Sequence, residues 1–287
     1  CQLFQCRAST GLRCQAGQHQ SDSRASAALP MSPAPSPCDR QQVLGMPVDA
    51  CPDVLAAAVE LHRSGGGQLV TLNAEMTMTA LAQPELGQAI RAADLVIPDG
   101  AGVVWALRRQ GIRVRRSPGI ELAHDLLAHA AQHHWRVALV GASPAVMEQL
   151  TQQLPQHHPG LQLVMAVHGF QAPEAWPGLE QQLLSLKPDL VLAALGVPRQ
   201  ETWIQRLHHH QAGLWMGVGG SFDVWSGQKK RAPQWMGALQ IEWLYRLLQE
   251  PSRWRRMLAL PQFAWAVISG NPPRPATQRP EAGKRPG

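Results

Sequence analysis

Four carboxylates directly follow apolar runs, where a reacting hydroxyl could hand them its proton. They are Glu75 in TLNAE (71–75), Asp99 in Pro98-Asp99-Gly100, Glu201 in GVPRQE (196–201) and Asp223 in GVGGSFD (217–223). A carboxylate can do this work if partial desolvation raises its pKa toward working pH, and such a base contributes roughly 10²–10⁴-fold in rate. Each has a plainer use as well. Pro-Asp-Gly is a common turn, Asp223 and Ser143 suit helix N-caps, and the glycines could serve only packing or positive φ. Their joint placement, with Thr71, Asn73 and Gln200 beside them, is what favours chemistry.

Two glycine turns, Gly141-Ala142-Ser143-Pro144 and Gly217-Val218-Gly219-Gly220, offer backbone amides of the kind that receive a diphosphate at a helix start. Neither spells G-x-G-x-x-G or the Walker A pattern, which argues against a Rossmann oxidoreductase or P-loop NTPase. No Asp-x-Asp occurs to clamp a diphosphate through a divalent cation. The histidine groups (His133-His134, His157-His158, His208–His210) lack a carboxylate or cysteine at ligand spacing, so no metal site and no cofactor are expected.

The elements that must hold these residues are short. Gln68–Leu72, Leu95–Ile97, Val137–Val140, Leu161–Val167, Leu190–Leu195 and Leu214–Val218 are nearly continuous apolar runs, as in strands buried on both faces of a parallel sheet. Helical spacing covers Asp53–Arg63, Ile120–Ala131, Ala145–Leu154 and Gln200–His210. The alternation predicts an α/β, Rossmann-like fold: a mainly parallel sheet flanked by helices. In such sheets ligands bind beyond the carboxyl ends of the strands, where the polar segments lie.

Composition bounds the rest. Apolar residues make up 45% of the 287-residue chain, enough for a sizeable core, and no apolar stretch reaches the roughly 18 residues of a spanning helix. The net charge of +6 is split: residues 46–228 are net acidic, and the basic excess lies after residue 228. That end suits an anionic partner. From Trp225 onward the chain also holds Trp225, Trp235, Trp243, Trp254 and Trp265 among basic residues, a pattern suited to a membrane surface or to a contact between copies of the chain. Met257–Gly270 is too short to span and could lie in the interface. Nucleic acid is not expected, because the body is acidic and carries no nucleic-acid-binding motif. All five cysteines fall at or before Cys51 without a Cys-x-x-Cys pair, which reads as a reducing compartment without a disulfide scaffold. Residues 1–42 read as a disordered extension, of which residues 1–30 could also be sequence upstream of a start at Met31. Residues 43–228 read as the core, 229–270 as a basic, Trp-rich helical appendage and 271–287 as a disordered tail.

The strings TLNAEMTMTA, ADLVIPDGAGVVWALR, RSPGIELAHDLL, LGVPRQETWI, GVGGSFDVWSGQKKRAPQWM and IEWLYRLLQEPSRWRR occur in this order. Together they resemble the WecG/TagA/CpsF glycosyltransferases (glycosyltransferase family 26) from about Val43 to Ile268. The resemblance implies inverting transfer of N-acetylmannosamine or its uronic acid from UDP to polyprenol-diphosphate-linked N-acetylglucosamine, at the cytoplasmic face of the cell membrane, for cell-surface polysaccharide. It implies Asp99 as general base, with Thr71 and Asn73 lining the donor and catalytic pocket. Gln200 would stand beside the base, Asp223 would contact the nucleotide, and Arg246, Arg253 and Arg256 of the appendage would close over the site. Arginine suits the last task, since its planar fork pairs phosphate oxygens and stays ionised. The extension, Met76, Met78 and the Pro-rich tail depart from the family pattern. The alternative is a non-catalytic α/β nucleotide-binding regulator or scaffold at the membrane. A homo-oligomer is compatible with either reading.

Overall fold

The computed structural model describes residues 38–230, 232–233, 236, 242–249, 251 and 254–270. It opens with an antiparallel hairpin, β1 (Asp39–Val43) and β2 (Met46–Ala50). Regular structure therefore begins ahead of Val43. The rest of the 1–42 extension and the 271–287 tail lie outside the described residues. Asp39 pairs with Ala50, so the flanking Cys38 and Cys51 face each other with Cα atoms 4.3 Å apart and form a disulfide. This corrects the reading of unpaired cysteines, and with it the cysteine argument for a reducing compartment. Register in a hairpin, not spacing in the sequence, decides such a pairing. Asp49, 4% exposed, accepts two 2.8 Å bonds from Arg40 and a 2.7 Å bond from the Val96 amide, anchoring the hairpin to the body.

The six apolar runs become β3 (Gly66–Leu72), β4 (Leu95–Pro98), β5 (Arg136–Gly141), β6 (Gln162–Val167), β7 (Leu190–Ala194) and β8 (Gly213–Gly217). They form one sheet in the order β4-β3-β8-β7-β5-β6 with every pairing parallel. The fold is thus α/β and Rossmann-like, as the sequence predicts. The helices are α1 (Val54–Arg63), α2 (Ala74–Ala82), α3 (Pro84–Ala92), α4 (Ala101–Arg109), α5 (Gly119–Gln132), α6 (Pro144–His157), α7 (Trp176–Leu186), α8 (Arg199–Leu207) and α9 (Ser221–Trp225). The C-terminal ones are α10 (Glu242–Gln249), α11 (Trp254–Met257) and α12 (Ala259–Ser269).

Alternation along the strands sorts these helices. Leu69, Leu139, Leu192 and Met216 bury one face of the sheet against α1, α5, α6 and α9. Val70, Leu72 and Val96 bury the other against α2, α3, α4 and Phe263 of α12, while Val140, Val191 and Trp215 meet α7 and α8 on that side. Each such fully buried Leu or Val contributes about 2 kcal/mol of transfer free energy. The helix after β3 thus covers one face, and the helix after the neighbouring β8 covers the opposite one. Connections that diverge in this way leave a crevice at the carboxyl ends of the strands.

Helix α12 is less interfacial than its sequence suggests. Phe263 and Ala266 are 2% and 0% exposed and pack into the core, while Trp265 and Ile268 are 71% and 58% exposed. Trp225 likewise packs against the core, and Trp235 lies outside the described residues. No helix among the described residues is long and apolar enough to cross a membrane.

Candidate active site

The crevice holds a cavity of about 640 Å³ lined by the segments that follow β3, β4, β5, β6, β7 and β8. Thr71, Asn73, Asp99, Gln200, Asp223 and Arg256 all line it. Arg246 lies in α10, but nothing beyond its backbone is described, and Arg253 lies outside the described residues.

Hydrogen bonds from three directions hold Asp99 in place. Its amide donates to the Leu72 carbonyl (3.0 Å), its carbonyl accepts from Arg116 Nε (2.7 Å), and its Oδ1 accepts from the Gly119 amide (2.9 Å). Gly119 is the first residue of α5, so the carboxylate sits at a helix N-terminus, where the backbone dipoles favour negative charge. Thr71 lies beside it. A Cβ on Gly119 would stand 2.8 Å from Thr71 Cγ2, so only glycine lets α5 come this close to the end of β3. Asn73 is the N-cap of α2 and its Oδ1 accepts from the Met76 amide at 2.9 Å. With that oxygen engaged, its amide NH₂ is the group it offers to a ligand.

Gln200 lines the cavity from a buried position. It is 2% exposed; its Oε1 accepts from the amides of Gly196 and Gly219 (both 3.2 Å), and its Nε2 donates to Glu201 Oε1 (2.7 Å). One buried amide thus ties the loop after β7 to the loop after β8. A Cβ on Gly217 would lie 2.5 Å from Gln200 Nε2, which explains the glycine there. Glu201, a candidate base from sequence, does not line the cavity. It is buried beneath it, its Oε2 has no hydrogen-bond partner among the described residues, and desolvation pushes its pKa up to about 7. Asp223 lies in the first turn of α9 but is not its cap, which is Gly220; its Oδ2 is 3.8 Å from Lys229 Nζ. Ser143 is the cap of α6, accepting from the Val146 amide at 3.3 Å, and also lines the cavity. Glu75 faces the cavity and pairs with Arg256 Nη1 at 3.8 Å, which ties α11 to α2.

The cavity is cationic. Arg116, Arg199, Lys229, Lys230 and Arg256 line it, against the carboxylates Glu75, Asp99 and Asp223. Tyr245 and Gln249 of α10 close the C-terminal side, where Gln249 Nε2 donates to the Lys230 carbonyl at 3.0 Å. Sequence reasoning gave no role to Arg116, although it opens the string RSPGIELAHDLL, nor to Arg199, Lys229 or Lys230. Among the described residues no group of three His, Cys, Asp or Glu side chains is arranged to hold a metal ion.

An α/β fold with a strand-end crevice that sets a carboxylate among cations belongs to the class of proteins that bind anionic ligands at the carboxyl ends of a parallel sheet. The chain belongs to the glycosyl transferase WecG/TagA/CpsF family, whose model matches residues 41–275. It is 34% identical over 210 residues, 72% of this chain and 81% of the relative, to an N-acetylglucosaminyldiphosphoundecaprenol N-acetyl-beta-D-mannosaminyltransferase of Bacillus spizizenii. It is 33% identical over 205 residues, 71% and 79% of the two chains, to a protein of the same name from Bacillus subtilis.

Proposed function

We propose that this enzyme transfers N-acetylmannosamine, or its uronic acid, from UDP to a polyprenol-diphosphate-linked N-acetylglucosamine with inversion. The observation that carries the reading is Asp99, fixed by the Gly119 amide at the floor of a cavity rimmed with cations. The acceptor hydroxyl attacks the anomeric carbon on the side opposite UDP. As the new C–O bond forms, the bond to the diphosphate oxygen breaks, the hydroxyl proton passes to Asp99 and the electron pair leaves on UDP. Thr71 and Asn73 line the pocket of the reacting sugar, and Asp223 contacts the nucleotide. Charge growing on the leaving diphosphate is met by Arg116, Arg199, the two lysines and Arg256, with Arg246 and Arg253 from the same C-terminal segment. Pre-placed cations in a partly dry site stabilise such charge without reorganising solvent. Gln200 acts at one remove, by fixing the two loops.

The curated relatives act on a polyprenol-linked acceptor, and such a lipid presents its diphosphate at a bilayer surface. The exposed Trp243, Trp254, Trp265 and Ile268 of the C-terminal helices suit contact with that surface, on the inner face of the cell membrane. A non-catalytic scaffold gives no reason for a fixed carboxylate among cations. Incubation with a panel of UDP-sugars and a lipid-diphosphate N-acetylglucosamine analogue, followed by mass analysis, tests the reading. A disaccharide product from UDP-N-acetylmannosamine or its uronic acid is expected; UDP binding without transfer from any donor contradicts it.

A further inference from the structure

A second concavity, of about 730 Å³, lies on the segment joining α4 to α5 and is lined by Arg108, Gly111, Arg113, Val114 and Arg115. The sequence Ile112-Arg113-Val114-Arg115 alternates apolar and basic residues. Ile112 and Val114 pack against the buried cluster that holds Leu107 and Phe263, as do Ala259, Leu260 and Val267 of α12. Arg113 and Arg115 are exposed, as is Arg108 one turn back on α4. No ion pair among the described residues joins any of these three arginines to a carboxylate. Like charges held together without a counter-ion repel one another, and an external anion relieves that repulsion.

We propose that Arg108, Arg113 and Arg115 form a contact surface for the head groups of an anionic phospholipid bilayer, on the α/β core and beside the C-terminal helices. The choice of a bilayer rests on what is packed beside them. Helix α12 shares the apolar cluster beneath this loop and leaves Trp265 and Ile268 exposed. A lipid surface accommodates both sets of groups: guanidinium groups at the phosphates, and an indole and an aliphatic chain at the interface. A soluble phosphate would use the arginines and leave the apolar face unanswered. The loop runs on into Arg116, Pro118 and Gly119, which line the catalytic cavity. Head groups held at Arg115 would therefore lie next to the cavity mouth, where a lipid-linked acceptor must present its sugar. The inference deepens the proposed acceptor reading and rests on it for that last step alone.

The test uses the full chain, with vesicles of neutral phosphatidylcholine or vesicles rich in phosphatidylglycerol, in flotation assays. Wild type floats with the phosphatidylglycerol vesicles and is released by salt. Replacing Arg108, Arg113 and Arg115 together by Gln lowers vesicle affinity roughly 10²-fold, about fivefold for each charge near an anionic surface. Replacing them together by Lys preserves binding, which separates charge from folding. Transfer to a water-soluble, short-chain acceptor stays at the wild-type rate in the Gln variant. Undiminished flotation of the Gln variant overturns the proposal, as does equal binding of wild type to neutral vesicles. Loss of inorganic phosphate binding with unchanged flotation would mark a soluble-anion site and overturn it too. Intact flotation without transfer from any donor would instead overturn the glycosyltransferase reading and leave this surface standing.

Discussion

The two sides of the cavity are built to different tolerances. On the core side, Asp99 is fixed by contacts of 2.7 to 3.0 Å to backbone and Arg116, and Gln200 braces two loops from a position 2% exposed. On the C-terminal side, Arg256 is 59% exposed and meets Glu75 at 3.8 Å. Proton transfer needs a hydrogen bond in place, whereas attraction between a cation and a diphosphate falls off slowly with distance. The carboxylate proposed for directional chemistry therefore sits at a strand end, while the cations proposed to supply charge come both from the core, as Arg116 and Arg199, and from the more loosely held C-terminal helices, as Arg256.

Breaking the tight side should cost most. Asp99→Asn keeps the shape but removes the proposed base, so turnover should fall roughly 10²–10⁴-fold while UDP affinity, read by calorimetry, stays within a few-fold. Gln200→Ala would leave the Gly196 and Gly219 amides and Glu201 unsatisfied and free both loops. A loss of about 10–10² in kcat/KM is expected, since small misplacements of a site are costly. An unchanged rate would show that the brace is not needed.

On the loose side the effects should be smaller. Arg256→Glu sets a like charge beside Glu75 and the diphosphate, and about a tenfold drop in kcat/KM is expected from this exposed position. A full rate on a soluble acceptor would remove Arg256 from the clamp. The mildest test concerns stability. Burial raises the Glu201 carboxyl to about 7, so it keeps its proton in the folded chain well above the ordinary glutamate pKa of about 4.5. Folding therefore gains from this group fully below about pH 4.5, and the gain is lost as pH rises through about 7. Urea unfolding at pH 5 and pH 8 should show a larger loss in wild type than in Glu201→Gln, by up to about 3 kcal/mol. Parallel slopes in the two proteins would contradict the buried, protonated carboxyl.

The contrast also explains what could be read in advance. The strands of the main sheet were legible because burial on both faces leaves unbroken apolar runs such as Leu190–Leu195. Helix α2 was not, because Ala74, Met76, Met78 and Ala80 are all buried and leave no polar stripe to reveal its period. Strand β1 was hidden at the end of a segment whose polar composition reads as an extension, and the Cys38–Cys51 pairing followed from its register with β2. At the site, the segments after the strands identified Thr71, Asn73, Asp99, Gln200 and Asp223 as neighbours. What each side chain does there depended on tertiary approach. Gln200 is a brace because Gly217 and Gly219 come within its reach, and Glu201 is buried because α8 packs on Gln68 and Trp215 of the sheet. Arg116 needed the fold to bring its loop back onto Asp99.

The central claim is that the cavity's own charges, one carboxylate and a rim of cations, carry out the transfer. The most direct test is the rate of sugar transfer to the lipid-diphosphate acceptor after exhaustive chelation, with and without added manganese. The account predicts an unchanged rate in both conditions. A rate abolished by the chelator and restored by manganese would contradict it.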